Sequence, residues 1–343
     1  MSTSAATLPD TARLQRLLAA ELPGFAGPIT LQQFAHGQSN PTYLVQSGSN
    51  RCVLRRKPPG ALLPSAHAVD REFRIMRALR PTGVPVPHAC FYCDDAAVIG
   101  TPFYVMEYVD GRVIQDNTLP SLDRSGRAAV YDELNRVIAA LHCIEPAEVG
   151  LADFGKAGAY VARQIARWTR QYRASETATI EPMERLIEWL PRHIPPEQPA
   201  RLAHGDYRLD NVIFHRSEPR ILAVIDWELS TLGDPLADLA YHCMPWRLPA
   251  GLDGSLEGCD LQAAGIPTEA QYVRRYCART GRESLEHFDY YMAFSMFRLA
   301  AILQGVAARA LQGNASSAQA TQAGRRARPM AEAAWAQAQR AAG

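Results

Sequence analysis

Lysine is nearly absent from this 343-residue chain: Lys57 and Lys156 are the only two, so almost all of the 36 basic side chains are arginines. There is no excess of either charge, because 35 acidic residues bring the net charge to +1. That balance predicts neither a nucleic-acid partner nor an acidic membrane surface. No apolar run is both long and free of charge. The most apolar stretch, residues 291–311, carries Arg298 and Arg309 and reads as a buried helix rather than a membrane span. No charged-then-apolar leader stands at the N-terminus, so the expectation is a cytoplasmic protein without a secretory signal. The seven cysteines are odd in number and scattered. Cys90 and Cys93 form a lone C-x-x-C with neither a second pair nor histidines at ligand spacing, which predicts free thiols rather than structural zinc. No G-x-G-x-x-G follows a strand, which argues against a dinucleotide-dependent redox enzyme.

What is present is ordinary globular material, 47% hydrophobic and 21% charged. Helical spacing of Leu14, Leu17 and Leu18 predicts a helix over residues 11–21. Strands are expected at 29–34, 42–46 and 52–56, then a helix at 67–79, then strands at Val98 and at 103–109. From about Gly111 the pattern turns helical, with helices expected near 125–142, 160–172, 182–190, 235–243, 268–279, 285–311 and 321–339. A short strand pair at 212–215 and 221–225 interrupts them. The fold class expected is α+β and bilobal. Residues 1–108 form a small antiparallel sheet lobe with one helix, and residues 109–343 form a larger, mainly helical lobe. The end of the chain, from about Ala315, is rich in Ala, Gln and Arg and is expected to pack loosely.

Two stretches carry chemistry. HGDYRLDN places Asp206 and Asn211 five residues apart just before a strand, and VIDWE places Asp226 at the end of the next strand. A tight hairpin would return Asp226 to the side of Asn211. Two oxygen ligands of that kind suit Mg²⁺, which takes few protein oxygens and completes its shell with water and phosphate. Asp206 is then left to accept a hydroxyl proton. This is the arrangement of phosphoryl transfer, in which the protein mainly positions groups and neutralises charge. Asp234 in GDPLAD reads as a helix cap ahead of Pro235, Asp238 as structural, and His204 as a brace for its loop.

Such chemistry needs further parts from the N-terminal lobe. The turn in FAHGQSNPTYLV offers Gly37, Ser39 and Asn40 to cover phosphates. In CVLRRK, period-two alternation puts Val53, Arg55 and Lys57 on one face. Arg55 is the best-placed cation there, with Glu72 of the following helix as its partner, while Lys57 remains a competitor. In YVMEYVDG, Met106 would border an adenine pocket, and the main chain of Glu107 and Val109 would bond the purine.

With these residues in hand, the chain resembles the aminoglycoside phosphotransferase and choline kinase family, of protein-kinase-like fold. HGDYRLDNVIF resembles the catalytic loop of that family, and VIDWELSTLGDPLADLAYH its metal loop and following helix. FAHGQSNPTYLV, CVLRRKPPG, REFRIMRAL and FYVMEYVDG resemble its nucleotide loop, cation strand, helix and hinge, so that the likeness covers most of residues 30–245. The resemblance implies ATP and Mg²⁺ as cofactors, Asp206 as catalytic carboxylate, and Asn211 and Asp226 as metal ligands. Arg55 stands where many relatives have Lys. The RRKPPG run is most similar to the branch associated with acyl-CoA dehydrogenases, which implies a small-molecule hydroxyl acceptor such as a hydroxyacyl-CoA or hydroxy acid, and a functional association with such a dehydrogenase. Residues 268–343 hold ten Arg against five acidic residues, which argues against a polycationic acceptor. The alternative is a nucleotide-binding pseudokinase or regulator.

Overall fold

The computed structural model describes residues 11–34, 40–59, 67–156, 158–311 and 318–342. Internal contacts divide the chain into two units, Met1–Val113 with Asn211–Ser230, and Ile114–Asp210 with Thr231–Gly343.

The first unit contains α1 (Thr11–Glu21), β1 (Thr30–Gln33), β2 (Thr42–Ser47), β3 (Asn50–Arg56), α2 (Val69–Leu79), β4 (Ala89–Cys93), α3 (Ala96–Ile99) and β5 (Phe103–Glu107). The strands form one antiparallel sheet in the order β1-β2-β3-β5-β4. Alternation along β3 decides what each face receives. Cys52 and Leu54 join Leu14 and Leu18 of α1, Ile99 of α3, and Phe103 and Val105 of β5 in an apolar core. Arg55 turns to the other face, where Glu72 of α2 meets it. Val98 was expected to lie in a strand but lies in α3. Asp95 starts that helix by accepting the Ala97 N–H, and Gly100 ends it at φ 86°. The fourth strand is instead Ala89–Cys93, whose C-F-Y-C run pairs with β5.

The chain continues through α4 (Arg124–Cys143), α5 (Tyr160–Ser175), α6 (Glu181–Trp189) and β6 (Arg201–Ala203) of the second unit. It returns to the first unit for the hairpin of β7 (Val212–Phe214) and β8 (Ile221–Val224). In the second unit follow β9 (Thr231–Gly233), α7 (Pro235–Cys243), α8 (Leu261–Ala264), α9 (Glu269–Thr280), α10 (Phe288–Leu311) and α11 (Ala318–Ala342). Sequence reading missed the β6–β9 pair, because each strand is three residues long and its partner lies far along the chain. Helix α10 is long and apolar enough to cross a membrane by length and composition, yet 67% of its apolar window is buried within the protein. It packs against α5, α7 and α11.

The end of the chain is not loosely packed. Ala327, Met330, Ala331, Ala334 and Ala338 of α11 are buried. A Cβ on Gly324 would stand 2.7 Å from that of Ala307 on α10. Small side chains let the two helices approach closely, so an Ala-rich segment forms a tight contact rather than a weak one.

One glycine closes the first unit. Arg112 bridges to Phe214, donating its N–H to the Phe214 carbonyl at 2.8 Å. A Cβ on the preceding Gly111 would fall 2.3 Å from that same carbonyl oxygen and 2.5 Å from Ile213 Cγ2. Gly111→Ala is therefore expected to destabilise the protein by about 1–3 kcal/mol, read from the urea midpoint at unchanged slope.

Candidate active site

The first unit holds a buried ionic cluster built around Arg55. Its Nε lies 2.9 Å from Glu72 Oε2, and its Nη2 donates to Asp226 Oδ1 at 2.7 Å and to Glu228 Oε2 at 3.4 Å. Glu72 is 1% exposed and also accepts from Asn40 Nδ2 at 2.8 Å and from Tyr104 Oη at 3.1 Å. Burial pushes the Glu72 carboxyl up, and Arg55, Asn40 and Tyr104 work against that rise. Burial alone would lower the Arg55 pKa, but Glu72, Tyr104, Asp226 and Glu228 outweigh it, so the guanidinium holds its proton more firmly than usual. Among the described residues the side chain of Lys57 makes no hydrogen bond or ion pair, so the cation paired with the helix carboxylate is Arg55.

Asn40, expected over the phosphates, is fully buried, with its amide committed to Glu72 and its Oδ1 within 2.9 Å of His67 Nδ1. Gly37 and Ser39 lie outside the described residues.

The β7–β8 hairpin brings Asn211 and Asp226 to one end, as the spacing required. Val212 pairs with Val224, and the Ile225 N–H donates to the Asn211 carbonyl at 2.9 Å. Asp226 then turns into the left-handed region at φ 66°, a conformation Asp tolerates better than most residues. Trp227 anchors the turn from below by donating its indole N–H to the Val224 carbonyl at 2.9 Å. Among the described residues no three His, Cys, Asp or Glu are grouped to hold a metal. Mg²⁺ does not need them, since one or two protein carboxylates and phosphate oxygens suffice. The Asp226 carboxylate and the Asn211 amide are hard oxygen donors at one hairpin end and fit that ion, with Glu228 two residues on.

The hinge follows β5. Met106 pairs with Val53 near the end of the strand. Glu107 spends its N–H on the His88 carbonyl and its side chain on the His88 N–H, both at 2.9 Å. Its carbonyl is thus the main-chain group it can offer a purine. Val109 makes no main-chain hydrogen bond among the described residues.

The second unit holds the HGD turn. Asp238, on the first turn of α7, accepts the His204 N–H at 2.7 Å and the Gly205 N–H at 2.9 Å. His142 Nε2 stands 3.2 Å from the same carboxylate, and Tyr276 braces His142 from the other side at 2.8 Å. The His204 ring accepts the Asp206 N–H at 3.2 Å, so His204 braces its loop as expected. Gly205 sits at φ 82°, which lets the chain reverse just ahead of Asp206. Asp234 caps α7 through the Leu236 N–H at 2.9 Å. Asp206 itself is half-buried. Burial raises its carboxyl pKa, while Arg208, Arg298, Tyr241 and His204 oppose the rise.

Beside this turn, within the second unit, lies a cavity of about 380 Å³. Leu248, Leu252, Leu299, Leu303, Trp246 and Met330 supply its apolar walls, and Tyr241 also faces it. Its four charged residues form two ion pairs, Arg208 with Asp210 and Arg326 with Asp253. The sequence offered no sign of this cavity, because its walls come from segments scattered between residues 115 and 330. Tyr104, Glu228, Tyr241 and Arg298 were likewise missed. Only Glu228 carried a signal, two residues after Asp226.

Residues 30–288 match the phosphotransferase enzyme family. The chain is 51% identical over 311 residues to mouse acyl-CoA dehydrogenase family member 10, a match that covers 90% of this chain but only 29% of the relative. A Ralstonia eutropha JMP134 protein, solved as a candidate aminoglycoside phosphotransferase, superposes with TM-score 0.88 and 49% identity over 96% of this chain and 98% of that one. A thermostable mutant of the aminoglycoside phosphotransferase APH(4)-Ia, in ternary complex with AMP-PNP and hygromycin B, shares the fold at TM-score 0.61 and 16% identity over 95% and 98% of the two chains. Together with the paired Arg55 and Glu72 and the hairpin that carries Asn211 and Asp226, these matches show that the chain belongs to the phosphotransferase enzyme family and is a small-molecule kinase of protein-kinase-like fold.

Proposed function

We propose that this kinase transfers the γ-phosphate of ATP, with Mg²⁺, to the hydroxyl of an acceptor with an apolar body, a hydroxyacyl-CoA or a hydroxy acid, in the cytoplasm. The observation that carries this reading is the 380 Å³ cavity, whose wall includes Arg208, Leu209 and Asp210 of the loop that carries Asp206. Its volume falls in the range of small-molecule sites. Each carboxylate in it is already paired with an arginine, so it offers a polycation no free negative charge. Its leucines suit a carbon chain, and its arginines suit carboxylate or phosphate groups. The dehydrogenase-family name of the mouse relative supports an acyl-CoA acceptor and a functional association with an acyl-CoA dehydrogenase.

In the reaction proposed, the acceptor oxygen attacks the γ-phosphorus, its proton passes to the Asp206 carboxylate, and the bond to the leaving ADP oxygen breaks. Glu72 fixes the Arg55 guanidinium, whose planar fork then faces phosphate oxygens with little freedom left to lose. The main chain of Glu107 and Val109 holds the purine beside Met106. Asn211 and Asp226 would hold Mg²⁺, which supplies charge neutralisation on the phosphates.

A panel of hydroxyacyl-CoAs, free hydroxy acids, choline-like alcohols and aminoglycosides, assayed with γ-labelled ATP, tests the acceptor. Label on an acyl-bearing acceptor is the expected result, and label only on aminoglycosides would overturn the reading. Asp226→Ala is expected to weaken Mg²⁺-dependent nucleotide binding by about 10- to 100-fold, measured by calorimetry with and without Mg²⁺. Unchanged binding in that titration removes Asp226 from the metal site.

A further inference from the structure

The two arginines of the 380 Å³ cavity are not equivalent. Arg208 is closed on Asp210: its Nε donates to one carboxylate oxygen at 2.6 Å and its Nη2 donates to the other. Arg326 holds Asp253 through Nη1 alone, on a single oxygen. Its Nε and Nη2 make no hydrogen bond or ion pair among the described residues. A guanidinium carries its N–H donors in a planar fork, so most of this fork is uncommitted. Arg326 stands one helical turn before Met330 on α11, and both line the cavity from the same face of that helix.

The Asp253 contact does little for the fold. The Asp253 side chain is 72% exposed and that of Arg326 25%, and a pair so open to water adds little stability. The loop that carries Asp253 is fastened without it. Asn117 Nδ2 donates to the Gly254 carbonyl at 2.8 Å, Ser255 Oγ to the Leu248 carbonyl at 2.6 Å, and the Leu256 N–H to the Pro245 carbonyl at 2.9 Å. Leu252 and Leu256 of the same loop are buried. The pair therefore covers a cavity cation with a carboxylate that is easily displaced.

We propose that Arg326 is a specificity-determining residue: it exchanges Asp253 for an anionic group of the acceptor, carboxylate or phosphate, and so selects an anionic acceptor over a neutral one with the same carbon chain. The inference rests on the cavity being the place where the acceptor binds. A carboxylate or phosphate presents two oxygens to the fork and takes Nε and Nη2 together, a stronger contact than the single N–H that Asp253 takes. Asp253, already mostly in water, loses little when released. Arg208 cannot serve in the same way, because Asp210 already takes its Nε and Nη2.

In the test, one hydroxyacyl chain is offered with γ-labelled ATP in three forms: the free acid, the CoA thioester and the uncharged N-acetylcysteamine thioester. KM and kcat are measured for wild type, Arg326→Gln, Arg326→Lys and Asp253→Asn. Acceptor binding without ATP is read from tryptophan fluorescence, since Trp246 walls the cavity. Arg326→Gln is expected to raise KM for the acid, the CoA thioester or both by about 10- to 100-fold, the effect of one lost charge-assisted contact, and to leave the uncharged thioester within about two-fold. The loss is expected on KM rather than kcat, because the contact is made equally before and during transfer. Whichever form responds identifies the group, the acid its carboxylate and the CoA thioester its phosphates. Arg326→Lys is expected to recover part of the loss, keeping the charge without the fork. Asp253→Asn uncovers the cation and is expected to lower KM for the same acceptor by about 2- to 5-fold. If Arg326→Gln leaves KM unchanged for all three forms, the inference fails while the reading of the cavity stands. An equal rise for all three also overturns it, since the arginine would then only pack the wall. If wild type labels none of the three and binds none, the reading of the cavity fails and takes the inference with it. Should Arg326→Gln fail to fold, Asp253→Asn decides: an unchanged KM for the acid and the CoA thioester rules out the exchange.

Discussion

Asp206→Ala is expected to lower kcat by about 10²- to 10⁴-fold, the range for loss of a positioned general base, while leaving nucleotide affinity close to wild type. Asp206 lies on the HGD turn, held from behind by Asp238 and His204. Glu72, Asp226 and Glu228 hold Arg55, so nucleotide binding is expected to survive loss of the Asp206 carboxylate. Transfer by the wild type should also fall on the acid side. Burial raises the Asp206 carboxyl against the pull of Arg208 and Arg298. The base works only when ionised, so activity is lost as pH falls through a pKa above the ordinary carboxylate value of about 3.9. A pH–rate profile of kcat reads that limb directly. If Asp206→Ala binds ATP and still turns over at the wild-type rate, another group takes the proton.

Asp238→Ala is expected to cost about 3–5 kcal/mol of stability, because removing one member of a buried charged network leaves the others without partners. The N–H groups of His204 and Gly205 and the Nε2 of His142 all converge on this carboxylate. Burial would raise its pKa, but the hydrogen bond and charge of His142, with the His204 contacts, hold it below the usual carboxylate range. A lowered folded-state value stabilises the protein above the unfolded value of about 3.9, and that contribution disappears as pH falls through the folded one. Asp238→Ala should therefore lower the urea midpoint strongly at pH 7 and make stability less steep in pH below about 4. A loss under about 1 kcal/mol would mean that the HGD turn is held by its other contacts.

Much of the site was legible from spacing because it is built locally. Asn211 and Asp226 flank a hairpin of two short strands, and the hairpin register alone returns one to the other. Arg55 and Glu72 followed from period-two alternation in β3 and the helix after it. Asp234 read as structural because a D-P pair starts a helix, and it caps α7, while Asp238 also read as structural and holds the HGD turn. Local rules failed where punctuation competed with pattern. Asp95 and Gly100 made Val98 helical, and an Ala-rich tail expected to be loose became a close-packed helix. The commitment of Asn40 to Glu72 and His67 was likewise invisible in a small-residue turn.

The sequence by itself determined the alternation that buries Arg55, the hairpin that joins Asn211 to Asp226, and the loop that carries Asp206, because each depends on residues within about twenty positions of one another. Only the tertiary structure decided what surrounds them. The cavity beside the HGD turn draws walls from residues 115 to 330, and Arg298 reaches that turn across 93 residues of chain. Packing between distant helices sets those contacts, and no local period encodes which buried arginine will face which turn.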